Sequence, residues 1–103
     1  MLRAELLFGL DTSDGLIPQA TFDDFLDRSV TPRFPAGLTV LDSRGRWRAP
    51  DGRQSVERSH LVLIVTPPDA DARARLEAIR SDYKARFHQQ SVGLVITPAC
   101  ASF

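Results

Sequence analysis

Residues 61–87 read LVLIVTPPDADARARLEAIRSDYKARF, and the fold turns on this stretch. Five consecutive apolar residues, Leu61 to Val65, are too few for a buried helix and suit a central strand covered on both faces. Pro67-Pro68 interrupts the run, and Asp69 and Asp71 favour the positive start of a helix. Ala72, Leu76, Ile79, Tyr83 and Phe87 then recur at helical spacing on one side of a rod. Asp71 with Arg75, and Asp82 with Arg86, stand in i,i+4 order on the opposite side and are expected to pair there.

Working outward, Arg3 to Leu10 places Ala4, Leu6 and Phe8 on one face of a strand and Glu5, Leu7 and Gly9 on the other. The cluster DTSDG (11–15) predicts a turn, with a loop continuing to Ala20. Thr21 is positioned to cap a helix, with Asp24 completing a capping box. That helix runs to about Val30 and presents Phe22, Phe25, Leu26 and Ser29 on one stripe, ending where Pro32 restricts Thr31. After Pro35-Ala36-Gly37, Leu38 to Leu41 reads as a strand, and the chain to Leu61 reads as one long irregular hairpin turning at Pro50-Asp51-Gly52. Val92 to Ile96 forms a last strand before Pro98.

The order β-α-β-β-α-β predicts an α+β, ferredoxin-like domain spanning 1–103, with two helices on one face of a four-stranded antiparallel sheet. The other sheet face is left bare. Apolar residues such as Leu7 and Val40 are expected there, so a homodimer partner or a ligand is expected to cover it.

Thirteen basic and thirteen acidic side chains cancel, which argues against nucleic-acid binding. No stretch approaches the roughly 20 apolar residues of a membrane helix, so no membrane insertion is expected. The chain as written carries no export signal and reads as cytoplasmic; a leader removed upstream would place it in the periplasm or outside. Twelve arginines stand against the single Lys84. Cys100 has no cysteine partner and no metal-ligand cluster around it, and reads as a small buried apolar residue. No metal and no cofactor are expected.

The segments RAELLFGL, TPRFPAGLTVLDSRGRW, IRSDYKARFHQQSV and TPACASF together resemble an uncharacterised bacterial family of domains of unknown function, DUF3574, over the whole length. Arg33, Phe34, Pro35, Gly37, Leu38, Trp47, Tyr83, Lys84, Arg86, Phe87 and Ser91 would be its recurring positions. The resemblance implies small exported or lipid-anchored relatives, and it implies no activity.

Five residues are candidates for ligand contact. Arg33, between two prolines, could hold a carboxylate or phosphate bidentately, although an ion pair is the plainer reading. Trp47, flanked by Arg46 and Arg48, could stack on a planar ligand; burial over a hydrophobic patch is the plainer reading. His60 could shuttle a proton but reads first as a structural histidine, and its spacing from Glu57 places the two on opposite faces. Tyr83 could direct its hydroxyl into a pocket with Arg33, against the plainer reading of a core tyrosine. Arg86 complements the negative end of its helix.

No phosphate loop, nucleophile elbow, zinc motif or cysteine pair is present. The expected function is therefore a small-ligand-binding or protein-interaction domain, dimeric through the open sheet. The alternative is a cofactor-free enzyme of the dimeric α+β-barrel kind acting on a small anionic substrate. In it, Arg33 would hold the anion while His60 or Tyr83 moves a proton. No catalytic residue can be assigned from the sequence.

Overall fold

A computed structural model describes the chain from Met1 to Phe103. Its sheet is built from β1 (Leu2–Gly9), β2 (Thr39–Arg48), β3 (Gln54–Thr66) and β4 (Gly93–Pro98), in the spatial order β2-β3-β1-β4 with every neighbouring pair antiparallel. Helices α1 (Gln19–Phe25) and α2 (Ala72–Phe87) pack on one face of the sheet. This is the ferredoxin-like βαββαβ arrangement that the element order predicts.

The alternation in β1 explains which face is covered. Ala4, Leu6 and Phe8 are fully buried, and so are Val62 and Ile64 of β3, which the register sets beside them. From α2, Leu76, Ile79 and Tyr83 descend onto that layer, as the spacing predicts, while Phe87 is only partly buried. Phe22 and Phe25 descend from α1. Phe8 meets Phe22 and Phe25 edge-on with ring centroids 5.7 and 5.5 Å apart, and lies 4.6 Å from the Tyr83 ring. Aromatic pairs prefer such tilted contacts because ring edges are positive and ring faces negative.

Several local expectations need correction. The loop after β1 contains a small hairpin, Asp11–Thr12 against Gly15–Leu16. Helix α1 starts at Gln19, earlier than a Thr21 cap would place it, and no side chain caps it. Pro18, with φ fixed at −64°, leads directly into the first turn, and its carbonyl accepts the Phe22 amide. The helix then widens into a π turn over Leu26–Val30, where the Thr31 amide reaches back to the Leu26 carbonyl. It still ends near Val30 as expected. Arg75 pairs with Asp69 rather than Asp71, and Arg86 with Asp24 rather than Asp82. In each case a carboxylate from outside the helix supplies the partner, because long guanidinium side chains reach past their own helical neighbours.

Strand register also revises the sheet faces. Residues 61–65 occupy a central strand, but Leu61, Leu63 and Val65 are only half-buried, since their side of the sheet has no covering layer. Val40 stands opposite Val62 and so belongs to the helix side; Leu41, opposite Leu61, is the residue that faces outward. Cys100 is exposed, lying beyond the last strand rather than in the core.

The buried stripe of α2 should dominate stability. Ile79→Ala is expected to cost about 2–5 kcal/mol, because it removes packed methylenes and leaves a cavity. Val56→Ala, on the exposed hairpin, should stay within about 0.5 kcal/mol. Urea denaturation followed by circular dichroism separates the two.

Candidate functional site

The hairpin β2–β3 is longer than the sheet it belongs to. Pairing of β1 with β3 stops at Gly9 opposite Ser59, whereas β2 and β3 continue from Arg44 opposite Arg58 to Arg48 opposite Gln54. A two-stranded ribbon therefore projects beyond the four-stranded body, and concave surfaces form on both sides of its root.

The larger surface lies on the bare side, a cleft of about 650 Å³. Its floor is Gly9 and Gly93 with Gly45 of the ribbon, and its wall is the segment after α2. His88 ends that helix in a left-handed conformation, φ 55°, where glycine is more usual. The reversal brings Gln89, Gln90 and Ser91 to the rim, and the Gln89 amide group donates to the Asp11 carbonyl at 3.1 Å. Glu57 also lines the cleft, half-buried and without a hydrogen bond or ion pair to any other side chain. A Cβ added at Gly9 would fall on Glu57 Oε1 and come within 3.3 Å of Gln89 Oε1. A glycine at the end of β1 is thus what admits these two side chains.

The second cavity, about 480 Å³, lies across the ribbon root beneath the small hairpin. His60, Asp42, Arg44 and Arg58 line it together with Leu10, Leu16 and Ile17. His60 is 5% exposed and tilts against Phe22 with ring centroids 4.4 Å apart. Its Nδ1 sits 3.0 Å from Asp42 Oδ1 but makes no aligned hydrogen bond, leaving a buried polar atom without a satisfying partner. A third groove, about 420 Å³, runs between α1 and α2 past Ser29, Asp82 and Arg86.

The five sequence candidates do not converge. Arg33 contacts Asp82 at 3.0 Å and the Ser29 carbonyl at 2.8 Å, so its fork is engaged within the protein. Arg86 lies 2.9 Å from Asp24, whose carboxyl is held below the usual range first by Arg28 and then by Arg86. Tyr83 is fully buried and its hydroxyl donates to the Gly9 carbonyl. Only His60 lines one of the two ribbon cavities. Trp47 is 54% exposed on the bare side of the ribbon, where no hydrophobic patch within the subunit covers it. Arg33, His60 and Tyr83 share no cavity, so the acid–base arrangement suggested by the sequence has no common pocket.

Gly9, Gln89, Arg44 and Arg58 were not among the sequence candidates, and Glu57 entered only as a partner for His60 that the spacing set aside. The one signal in the sequence was the glycines at Gly9, Gly45 and Gly93, set in otherwise regular apolar or alternating stretches; the placing of Arg44 against Arg58 is set by the hairpin register.

Residues 3–103 match the model of a family described as "Protein of unknown function (DUF3574)". The chain belongs to this family. Membership extends through both helices, all four strands and the ribbon, so the cavities lie within the family domain. Among solved structures, a phage SAM lyase in complex with S-methyl-5'-thioadenosine is similar at 19% identity and a TM-score of 0.68, covering 93% of this chain and 79% of that chain. The apo state of a phage SAM lyase gives the same identity and TM-score over 93% and 78% of the two chains. CutA from Synechococcus elongatus PCC7942 is similar at 13% identity and a TM-score of 0.62, over 98% and 79%. At such identities the likeness is one of fold. No curated protein matches the sequence. No helix is long and apolar enough to cross a membrane.

Burial raises the Tyr83 phenol above its ordinary value of 10.0, and the charge of Glu57 adds to the rise. The unfolded phenol ionises near its ordinary value while the folded one keeps its proton, so stability is fully present below pH 10 and falls as pH rises above it. The expected slope approaches about 1.4 kcal/mol per pH unit. Tyr83 is the single tyrosine, so phenolate absorbance of the native protein should stay low at pH 10 and rise only with unfolding. Tyr83→Phe should remove that part of the pH dependence.

Proposed function

We propose that the domain is a small-ligand-binding module that pairs with a second copy of itself through the bare face of its sheet, with the Glu57 cleft at the edge of that interface. The supporting observation is the apolar character of this face. Leu41 is 49% exposed and Val95 47% exposed, with Leu7 between them in the sheet and the half-buried Leu61, Leu63 and Val65 alongside. Arg3 and Glu5, the charged residues of the same face on β1, pair with each other at 2.9 Å and so present no isolated charge.

The ribbon strengthens the reading. A two-stranded hairpin is marginal on its own in water, and this one carries Trp47 on the side continuous with the apolar face. At about 4.8 Å between strands and about 3.3 Å per residue, four strands six residues deep offer roughly 19 by 20 Å, before the ribbon is added. With the ribbon, that suits the roughly 500 Å² per subunit that a small specific interface needs.

The cleft has the size of a small-molecule site. Glu57 is an acceptor without a partner, so the cleft favours ligands rich in N–H or O–H donors, or cationic ones, over anions. S-methyl-5'-thioadenosine, carried by the similar phage lyase, is a neutral donor-rich probe, and adenosine monophosphate is its anionic counterpart. The neutral compound should stabilise the protein more in a thermal-shift assay, and Glu57→Gln should narrow the difference. Equal shifts for both compounds would remove Glu57 as the discriminating group.

Sedimentation velocity at micromolar concentration tests the pairing. The wild type is expected to dimerise, and Leu41→Asp with Val95→Asp to sediment as a folded monomer. Emission from Trp47, the single tryptophan, should shift to shorter wavelength as concentration rises. A wild type that stays monomeric through this range rules the interface out.

A further inference from the structure

The opposite side of the ribbon, facing the helices rather than the bare sheet, carries a different kind of site. Arg44, Arg46 and Arg48 of β2 alternate onto this side, and register places Arg44 directly opposite Arg58. Every other arginine in the chain holds a carboxylate within 4.0 Å; these four hold none. Arg46 reaches only the neutral Gln54, at 3.4 Å. Like charges set directly across an antiparallel pair repel one another. A neutral protein with as many acids as bases has thus gathered its unpaired guanidinium groups on one side of one ribbon.

The cavity of about 480 Å³ opens at the root of this row, with Arg44 and Arg58 on its wall. Beside them lies the His60 Nδ1, more than nine-tenths buried and without a satisfying hydrogen bond. Two carboxylates stand close by. Asp42 is 92% exposed beside His60, and Asp11 Oδ2 accepts the Arg58 backbone amide at 3.3 Å; neither pairs with a guanidinium. Leu16 and Ile17 supply an apolar wall on the far side.

We propose that this cavity binds a small organic oxyanion, a carboxylate or a phosphate ester. Arg44 and Arg58 grip its charged end, His60 forms part of the wall, and Leu16 and Ile17 contact its apolar part. Guanidinium forks suit planar or tetrahedral oxyanions bidentately, and a bound anion relieves the repulsion between the two arginines. The apolar wall and a volume of about 480 Å³ fit a compact molecule rather than an extended polyanion. The site is on the other side of the sheet from the proposed dimer interface, so each can stand without the other.

Amide NMR titration with phenyl phosphate, and with benzoate as the carboxylate form, tests this directly. Saturable shifts are expected at Leu16, Ile17, Arg44, Arg58 and His60, with benzyl alcohol, the uncharged analogue, leaving those amides in place. The double variant Arg44→Ala/Arg58→Ala should weaken phenyl phosphate binding about tenfold or more, since it removes charge-assisted hydrogen bonds. Arg44→Lys/Arg58→Lys should restore part of the affinity by charge alone. Three results overturn the proposal: no saturable shift in the wild type, equal response to benzyl alcohol, or unchanged affinity in a double variant whose amide spectrum is that of a folded protein. A single-stranded RNA oligonucleotide that binds more tightly than either probe, with shifts spreading to Arg46 and Arg48, overturns the small-molecule assignment.

Discussion

Tyr83 is the side chain through which the parts of this molecule meet. Its ring lies against Phe8 of β1, Phe25 of α1 and Phe87 of its own helix, and its hydroxyl donates to the carbonyl of Gly9 at the end of β1. One residue thereby joins the sheet and both helices and satisfies a backbone group at the strand end. The carbonyl it holds belongs to the glycine that floors the larger cleft. Packing and cleft geometry are fixed by the same contact, which makes the floor a rigid part of the core rather than a loop surface.

The fold was legible because its signals are local and periodic. Alternation in β1 and the helical recurrence of Leu76, Ile79 and Tyr83 each identify an element and its buried side without reference to the rest of the chain. What eluded the sequence depends on register and on long side chains. Whether Val40 or Leu41 faces outward is decided by pairing with Val62 or Leu61 across a hairpin whose turn lies many residues away. Whether Arg86 pairs with Asp82 or with Asp24 is decided by how close a second helix comes. The cavities were less legible still, because Glu57, Gln89 and Arg58 are ordinary surface residues until the ribbon and the turn after α2 bring them to a common edge.

The two sides of the ribbon differ in chemistry, and strand alternation is the reason. Residues of one parity on β2 are Leu41, Ser43, Gly45 and Trp47, uncharged and turned to the bare side; those of the other are Asp42, Arg44, Arg46 and Arg48. Ser43 and Ser59 share a hydrogen bond of 2.6 Å on the bare side, where Glu57, opposite Gly45, is the one charged residue of the two strands. A single pair of strands therefore separates a surface suited to protein contact from one suited to anions.

The π turn in Leu26–Val30 fixes more than the end of α1. It holds one residue beyond what an α-helical turn would contain, and the following segment leaves at the angle this surplus sets. Deleting a single residue there would restore an ordinary helical ladder and rotate everything downstream by roughly 100°. Arg33 would swing away from Asp82, and Phe34 from Arg75, whose guanidinium lies 4.7 Å above its ring. Length variation among relatives should consequently be excluded from this turn and tolerated at the tip of the ribbon, where an inserted residue displaces nothing but water.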